Sequence, residues 1–312
     1  MAGRAHDGGA VQDSGGEMAG MSGAGTEKVD KTIIEPSGAR AAGRAEREVF
    51  SGVGVALVTI FDSAGAVDPA ATATLAADLA NRGMRAILVA GTTGEAGTIT
   101  TEERTALIRA VRDAVEADVP VLAGTGAATT EDCVGLTKAA VIAGADAVLA
   151  FPPPAQDLAR ATSDARSYSA SVADHYAAVA AATEGRPVFA YHVPWISAPG
   201  VPVGDLAALP IAGIKDSSGS ADRLLDELAH YDGATYVGSS ALLALAGPMG
   251  GAGAILALAN VEPERCIQAF AGDAAVQRDL ADVHLKVREG GPAELKRMLG
   301  RDAGYCDLSR VA

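Results

Sequence analysis

The 312-residue chain contains little cysteine and few aromatic residues. Its three cysteines, Cys133, Cys266 and Cys306, lie far apart in the sequence. Because the chain also lacks an apolar secretory signal, this usage predicts no disulfide framework and a reducing, cytoplasmic location. Aromatic residues make up only 4% of the chain, whereas apolar residues make up 49%. The core must therefore consist mostly of Ala, Val, Leu and Ile.

Positive charge and long apolar runs are scarce as well. The net charge of −14 argues against nucleic acid and anionic membranes as partners. No apolar run reaches the roughly 20 residues that span a bilayer. The same negative charge repels anionic small molecules, so an anionic substrate would need a local attractor.

Three segments are expected along the chain. Residues 1–48 are rich in Gly, Ala, Ser and charge without a sustained apolar period, which predicts a disordered extension rather than a targeting peptide. Residues 49–261 alternate strand-like and helix-like runs, and residues 262–312 are expected to form a helical C-terminal segment. The eight predicted strands are Val53–Ile60, Ala86–Val89, Val119–Ala123, Ala147–Phe151, Val188–His192, Ile211–Lys215, Thr235–Gly238 and Ala254–Ala257.

The predicted helices separate these strands. Asp68-Pro69 is typical of a helix start, and Thr100 with Glu103 has the spacing of a capping box. An alternating order implies parallel strands joined by helices, and eight units in about 210 residues favour a (β/α)₈ TIM barrel. An open doubly wound sheet is the alternative, weakened by the absence of a Gly-x-Gly-x-x-Gly turn. The expected helices are Asp68–Arg82, Thr101–Val115, Thr130–Ala143, Arg166–Thr183, Val203–Ala208, Ala221–Tyr231 and Ala241–Met249.

Lys215 ends an apolar, strand-like run and is one of only six lysines. In a barrel the chemistry lies at the carboxyl ends of the strands. A buried ammonium loses hydration, so its pKa falls and a neutral amine becomes available to attack a ketone. The alternative is a lysine that extends out of the strand end into solvent.

The loop Gly91-Thr-Thr-Gly-Glu95 directly follows the second predicted strand. Gly91 and Gly94 allow a tight turn whose backbone N–H groups can converge on an anion, and Thr92 and Thr93 add hydroxyl donors. We call this segment the threonine loop. It is expected to hold the carboxylate of a small 2-oxo acid, although an ordinary βα turn would have a similar composition.

Tyr191 stands near the end of the fifth predicted strand and could transfer protons beside Lys215. A core tyrosine bonded to the backbone is the alternative. His192 follows it, but side chains alternate along a strand, so His192 should face the other way. No group of residues has metal-ligand spacing.

Five motifs in this order resemble the dihydrodipicolinate synthase / N-acetylneuraminate lyase family. The motifs are Gly-Thr-Thr-Gly-Glu (91–95), Gly-Thr-Gly (124–126), Tyr-x-Val-Pro (191–194), Gly-Ile-Lys-Asp-Ser-Ser-Gly (213–219) and Gly-Ala-Ile-Leu-Ala-Leu-Ala-Asn (253–260). The resemblance implies a class I Schiff-base lyase on a (β/α)₈ barrel, assembled as a dimer or tetramer, without metal or organic cofactor. It makes Lys215 the Schiff-base lysine, Tyr191 the catalytic tyrosine, and Thr92 a member of the proton relay. It further implies that Thr93, Gly94, Gly91, Ile255 and Gly253 bind the 2-oxo acid.

Two departures from the family pattern bear on the second substrate. Phe151-Pro-Pro-Pro154 replaces a segment in which a tyrosine crosses to a neighbouring subunit. Trp195-Ile196-Ser197 stands where synthases place an arginine that holds the aldehyde's carboxylate. We therefore expect an apolar wall at this place, and an aldehyde that is less polar or that is recognised through hydroxyl groups. The long segment 155–171 is a candidate lid, in which Arg160, Arg166 or Tyr168 could supply a replacement contact.

The sequence therefore predicts an enzyme that joins or cleaves a carbon–carbon bond between pyruvate and an aldehyde through a lysine imine. An aldolase or lyase for a 4-hydroxy-2-oxo acid is the first choice. 4-Hydroxy-tetrahydrodipicolinate synthase is the second, and a 2-oxo acid dehydratase is the third. A non-catalytic barrel that binds a 2-oxo acid is the alternative of another class, since such a barrel would not need both Lys215 and Tyr191.

Overall fold

The computed structural model describes residues 48–153 and 165–300, with side chains from residue 168 onward in the second range. The predicted N-terminal extension, Cys306 and most of the candidate lid lie outside these residues. Within the two ranges, no helix combines the length and the apolar character needed to cross a membrane.

Eight short parallel strands form a closed barrel in which neighbouring strands follow one another along the chain. Strand β8 pairs with β1 from Gly52↔Gly253 to Val55↔Leu256 and so closes the ring. The predicted TIM barrel is confirmed, and each strand lies within a few residues of its expected position. The strands are β1 (Gly52–Ala56), β2 (Ile87–Val89), β3 (Val121–Gly124), β4 (Ala147–Ala150), β5 (Val188–His192), β6 (Gly213–Asp216), β7 (Ala234–Val237) and β8 (Gly253–Leu256).

Local capping sequences fix where the outer helices begin. The Asp68 side chain accepts a hydrogen bond from the backbone N–H of Ala71, and Thr100 with Glu103 forms the complete capping box. The helices are α1 (Pro69–Asn81), α2 (Thr101–Ala114), α3 (Thr130–Ile142), α4 (Ala165–Ala181), α5 (Ala221–His230), α6 (Leu243–Ala246), α7 (Pro263–Phe270), α8 (Ala274–Asp279) and α9 (Ala281–Met298).

Two predicted helices are wrong in type or length. Val203–Ala208 forms a 3₁₀ helix, and the predicted helix Ala241–Met249 is a 3₁₀ turn followed by the single turn α6. Both segments are too short for a regular α-helix to stabilise itself, so the packing of the βα connections decides their geometry.

The barrel interior is filled at its amino-terminal end. The Tyr236 hydroxyl donates a hydrogen bond of 2.6 Å to the carbonyl of Phe50, and the Phe189 ring packs edge-on against Tyr236 at 5.3 Å. These rings help to fill the bottom of the barrel, and in a barrel of this kind the site lies at the carboxyl ends of the strands.

The C-terminal helices pack on the outside of the barrel. The Asn260 side chain, just after β8, accepts from the Val58 N–H at 3.1 Å and donates to the Ala56 carbonyl at 2.7 Å. Helix α9 is interrupted at Gly291, whose φ of 58° is not helical and which precedes Pro292. This helix reaches the mouth of the barrel.

Candidate active site

A cavity of about 550 Å³ opens at the carboxyl ends of the strands. It brings together five of the predicted site residues: Thr92, Thr93, Tyr191, Lys215 and Ile255. They come from four different strands or the loops that follow them, which is the arrangement expected of a barrel site. The remaining lining residues are Trp195, Ser217, Ser218, Gly219, Gly238, Ser239, Ser240, Ala241, Ala257, Leu258, His284, Val287 and Arg288.

Lys215 points into the barrel from β6 and is only 5% exposed. This burial overturns the alternative of a solvated strand-end lysine. Parallel register pairs Lys215 with Tyr191 on β5, and Lys215 Nζ lies 4.7 Å from the centroid of the Tyr191 ring. Burial lowers the pKa of Lys215, and the charge and hydrogen bonding of the Tyr191 side chain partly oppose that shift. The site therefore favours the neutral amine that nucleophilic attack requires.

Gly238 leaves the space that Lys215 occupies. A Cβ atom at this position would lie 1.9 Å from Ser217 Oγ and 3.1 Å from Lys215 Cε. A larger residue just after β7 would therefore clash with the Ser217 side chain and press on that of Lys215. This role could not be predicted from the sequence, because a glycine after an apolar run is also an ordinary turn signal.

Arg104 holds the two residues that flank the threonine loop. Its buried guanidinium donates to the carbonyls of Ala90 and Ala96, each at 3.0 Å, and to that of Gly124. Ala90 has a left-handed φ of 53°, which is uncommon for a residue with a Cβ atom. The arginine thus ties the loop after β2 to the end of β3 and stabilises a strained turn.

The last residue of the loop is anchored by the C-terminal segment. Lys296 Nζ lies 2.5 Å from Glu95 Oε1, and their side chains are 4% and 12% exposed. The same ammonium lies 4.3 Å from the centroid of the Phe61 ring. Glu95 itself has a φ of 56°. A buried ion pair between residues 201 positions apart therefore fixes the end of the threonine loop.

Three predicted glycines do not line the cavity. Gly91 and Gly94 form the turn itself, and the Gly94 carbonyl accepts a 2.7 Å hydrogen bond from the Thr59 hydroxyl. Gly253, which is predicted to bind the 2-oxo acid, begins β8 and does not line the cavity, whereas Ile255, two residues later, does. A Cβ atom at Gly253 would lie 2.2 Å from the Gly52 carbonyl oxygen and 3.0 Å from the Tyr236 ring, so this position requires glycine.

His192 and Tyr168 are also turned away from the cavity. His192 Nδ1 accepts a hydrogen bond from the Val201 N–H at 3.2 Å, and burial lowers the pKa of His192 to about 4. Its outward orientation is the one expected from strand alternation. The Tyr168 hydroxyl donates to the Gly200 carbonyl at 2.7 Å and does not line the cavity. Arg160 and the side chain of Arg166 lie outside the described residues.

The expected apolar wall is smaller than predicted. Trp195 lines the cavity and is 64% exposed, whereas Ile196 does not line it. The Ser197 hydroxyl is buried and donates to the Pro152 carbonyl. Serine hydroxyls, His284 and Arg288 make much of the remaining lining polar. Sequence patterns did not single out these residues, since serine is also the usual composition of βα loops.

A buried group of charges lies behind Lys215, on the outer face of β6. Arg223 Nε lies 2.8 Å from Glu227 Oε1 and 3.8 Å from Asp216 Oδ1. Burial raises the pKa of Glu227 to about 8, the charge of Asp216 adds to the increase, and Arg223 opposes it. Glu227 therefore keeps a proton in the folded state at a pH where the unfolded chain has lost it.

This shift predicts a pH-dependent stability. The unfolded carboxyl titrates near 4.5 and the folded one near 8, so the folded state loses stability as pH rises between these values, by up to about 1.4 kcal/mol per pH unit. Glu227→Gln should remove that part of the slope, measured by urea unfolding from pH 5 to 9. Asp226→Asn, at an exposed position on the same helix, should keep it. An unchanged slope in Glu227→Gln would contradict the assignment.

Comparison with known proteins agrees with this geometry. Residues 49–289 match the model of the dihydrodipicolinate synthetase family. The chain belongs to this family. It is 37% identical to the 4-hydroxy-tetrahydrodipicolinate synthase of Salinibacter ruber over 226 residues, which cover 69% of this chain and 70% of the relative. The predicted membership is confirmed, and so, at the level of the family, is the prediction of a lyase.

Solved structures extend the similarity to three dimensions. The chloride-inhibited dihydrodipicolinate synthase of Acinetobacter baumannii, complexed with pyruvate, has a TM-score of 0.73 and 29% identity over 82% of this chain and 91% of its own. A prophage protein of this family from E. coli K12, also in complex with pyruvate, has a TM-score of 0.71 and 26% identity, covering 81% and 88% of the two chains.

Proposed function

We propose that this lyase joins or cleaves a carbon–carbon bond between pyruvate and an aldehyde through an imine on Lys215. The observation that carries the proposal is a buried amine beside Tyr191, in a cavity that also contains Thr92 and Thr93. Lys215 has no carboxylate partner within residues 48–153 and 165–300. Two structural relatives in complex with pyruvate support a 2-oxo acid as the first substrate.

The proposed reaction begins and ends with the amine of Lys215. The neutral Lys215 amine attacks C2 of pyruvate, and the resulting carbinolamine loses water to give a protonated imine. Loss of a C3 proton forms an enamine, whose C3 attacks the aldehyde carbon, and the aldehyde oxygen takes up a proton. Hydrolysis of the imine then releases a 4-hydroxy-2-oxo acid and restores the amine. Cleavage follows the same steps in reverse.

Tyr191 is placed to move protons in these steps, with a Thr92 hydroxyl in the relay. Thr93, the loop backbone and Ile255 would hold the carboxylate and methyl end of pyruvate. The protonated imine itself accepts the electron pair, so the proposed reaction needs no metal or organic cofactor. We place the enzyme in the cytoplasm as a homo-oligomer, a dimer or a tetramer, with residues 49–261 as the catalytic barrel.

A second candidate is 4-hydroxy-tetrahydrodipicolinate synthase itself. The names of relatives such as the Salinibacter ruber protein favour it. Trp195, Ile196 and Ser197 argue against it, because no arginine stands at the place after β5 where the family resemblance leads one to expect one for the carboxylate of aspartate semialdehyde. We therefore retain a 4-hydroxy-2-oxo acid aldolase as the first choice.

Borohydride trapping tests the proposal. Reduction of the protein in the presence of pyruvate should add one reduced pyruvate to the intact mass, and peptide mapping should place the adduct on Lys215. Reduction without pyruvate is the control. Release of pyruvate from 4-hydroxy-2-oxo acids, or consumption of pyruvate with a panel of aldehydes, then distinguishes an enzyme from a binding protein. No adduct, or an adduct at another lysine, would contradict the mechanism.

A further inference from the structure

One side of the cavity is built by a helix that lies outside the barrel. His284, Val287 and Arg288 of α9 line the cavity together with Lys215 and the threonine loop. Their spacing of three and four residues places them on one face of the helix. Val287 is buried, His284 is half-buried and Arg288 is exposed. The helix therefore presents a cation at the outer rim of the cavity, away from the buried amine.

Arg288 is available to a ligand. It takes part in no ion pair within the described part of the chain. Arg297, farther along α9, is instead held by Glu294 at 2.5 Å. Among the residues that line the cavity, Arg288 and Lys215 are the two that carry a basic side chain other than histidine. Because the chain has a net charge of −14, an uncompensated cation at the cavity mouth is the local attractor that an anionic substrate requires.

The neighbouring histidine is fixed by a hydrogen bond to the loop after β7. His284 Nδ1 forms a 2.7 Å hydrogen bond with Ser240 Oγ, which joins α9 to the loop after β7. Burial lowers the pKa of His284, and the charge of Arg288 adds to that shift. Both effects disfavour the protonated imidazole. The Ser240 contact therefore holds this side of the cavity in place beneath Arg288.

We propose that Arg288 binds an anionic group at the far end of the aldehyde, a carboxylate or a phosphate. The inference rests on the proposed function and names its substrate class. The carboxylate of pyruvate is assigned to the threonine loop beside Lys215, whereas Arg288 lies on the exposed rim, where the far end of a longer substrate would reach. A guanidinium pairs with carboxylate or phosphate through two parallel hydrogen bonds. The preferred substrates are then 4-hydroxy-2-oxo acids with a second acidic group.

Matched aldehydes test this assignment. The wild type, Arg288→Gln and Lys286→Gln would be assayed with pyruvate and two pairs of aldehydes, each with one anionic and one neutral member. Succinic semialdehyde with butyraldehyde tests a carboxylate, and glyceraldehyde 3-phosphate with glyceraldehyde tests a phosphate. The wild type should prefer the anionic member of at least one pair, and that pair identifies carboxylate or phosphate. In Arg288→Gln, kcat/KM for the preferred anion should fall about 10- to 100-fold, mainly through KM, while the neutral partner changes about twofold or less.

Lys286→Gln removes the same charge from the same helix at an exposed position that does not line the cavity. It should leave both members of each pair nearly unchanged. Three results would each overturn the inference. Arg288→Gln could lose as much activity with neutral as with anionic aldehydes, Lys286→Gln could have the same effect as Arg288→Gln, or the wild type could show no preference for an anionic aldehyde.

Pyruvate trapping separates this failure from failure of the proposed function. If borohydride fixes pyruvate on Lys215 in the wild type and in Arg288→Gln, but no anionic preference exists, only the role of Arg288 is lost. If the wild type forms no adduct, the proposed function fails, and the inference fails with it.

Discussion

Lys215→Met is expected to abolish turnover and to make the fold more stable. Methionine has a similar length but no amine, so no imine can form, and kcat/KM should fall by about 10⁵-fold or more. The variant also removes an amine whose protonated form burial destabilises and which has no carboxylate partner within the described residues. We expect the free energy of unfolding at neutral pH to rise by about 1–3 kcal/mol. Steady-state kinetics and urea unfolding measure the two effects.

The stabilisation should depend on pH in a defined direction. Because the pKa of Lys215 is lowered in the folded state from 10.5, the unfolded chain binds a proton more readily between the folded pKa and 10.5. Wild-type stability therefore rises with pH across this interval, and the advantage of Lys215→Met should shrink there. Lys286→Met, at an exposed site on α9, is the control and should retain activity. A less stable Lys215→Met would show that the lysine supports the fold.

The barrel could be predicted because its signals are local. Short apolar runs, the Asp68 and Thr100 caps, and the alternating order of elements each depend on a few neighbouring residues. The proximity of Lys215 and Tyr191 also followed, since both lie near the carboxyl ends of adjacent parallel strands. Strand alternation correctly separated His192 from Tyr191.

The supporting residues could not be predicted, because tertiary packing decides their role. Arg104 and Lys296 lie on helices that also carry several other charges, where a basic residue most often faces solvent. Arg104 is buried because α2 packs beside the threonine loop. Lys296 is buried because α9 approaches the end of that loop at Glu95. A family motif likewise does not tell which of its residues line the cavity: Ile255 does, whereas Gly253 does not.

Lys296→Met is expected to destabilise the protein and weaken pyruvate binding together. The substitution leaves the Glu95 carboxylate, 12% exposed, without the cation that faces it in the described part of the chain. Breaking a buried pair from one side costs roughly 3–5 kcal/mol, because the remaining charge stays in a medium that solvates it poorly. Glu95 ends the threonine loop at a left-handed φ, so its displacement should also disturb Thr92 and Thr93. We expect a lower midpoint in urea and a higher KM for pyruvate.

Two further variants distinguish the ion pair from general damage to α9. Arg297→Met removes an adjacent cation that is 69% exposed and pairs with Glu294 one turn earlier on the same helix, and it should change stability and KM little. The double variant Glu95→Gln/Lys296→Met replaces the pair with groups that need no counter-charge, and it should regain part of the stability that Lys296→Met loses. Recovery of stability without recovery of KM would mean that the charge on Glu95 also sets the shape of the threonine loop. A double variant no more stable than Lys296→Met would instead show that the lysine acts through its packing on Phe61 rather than through the carboxylate.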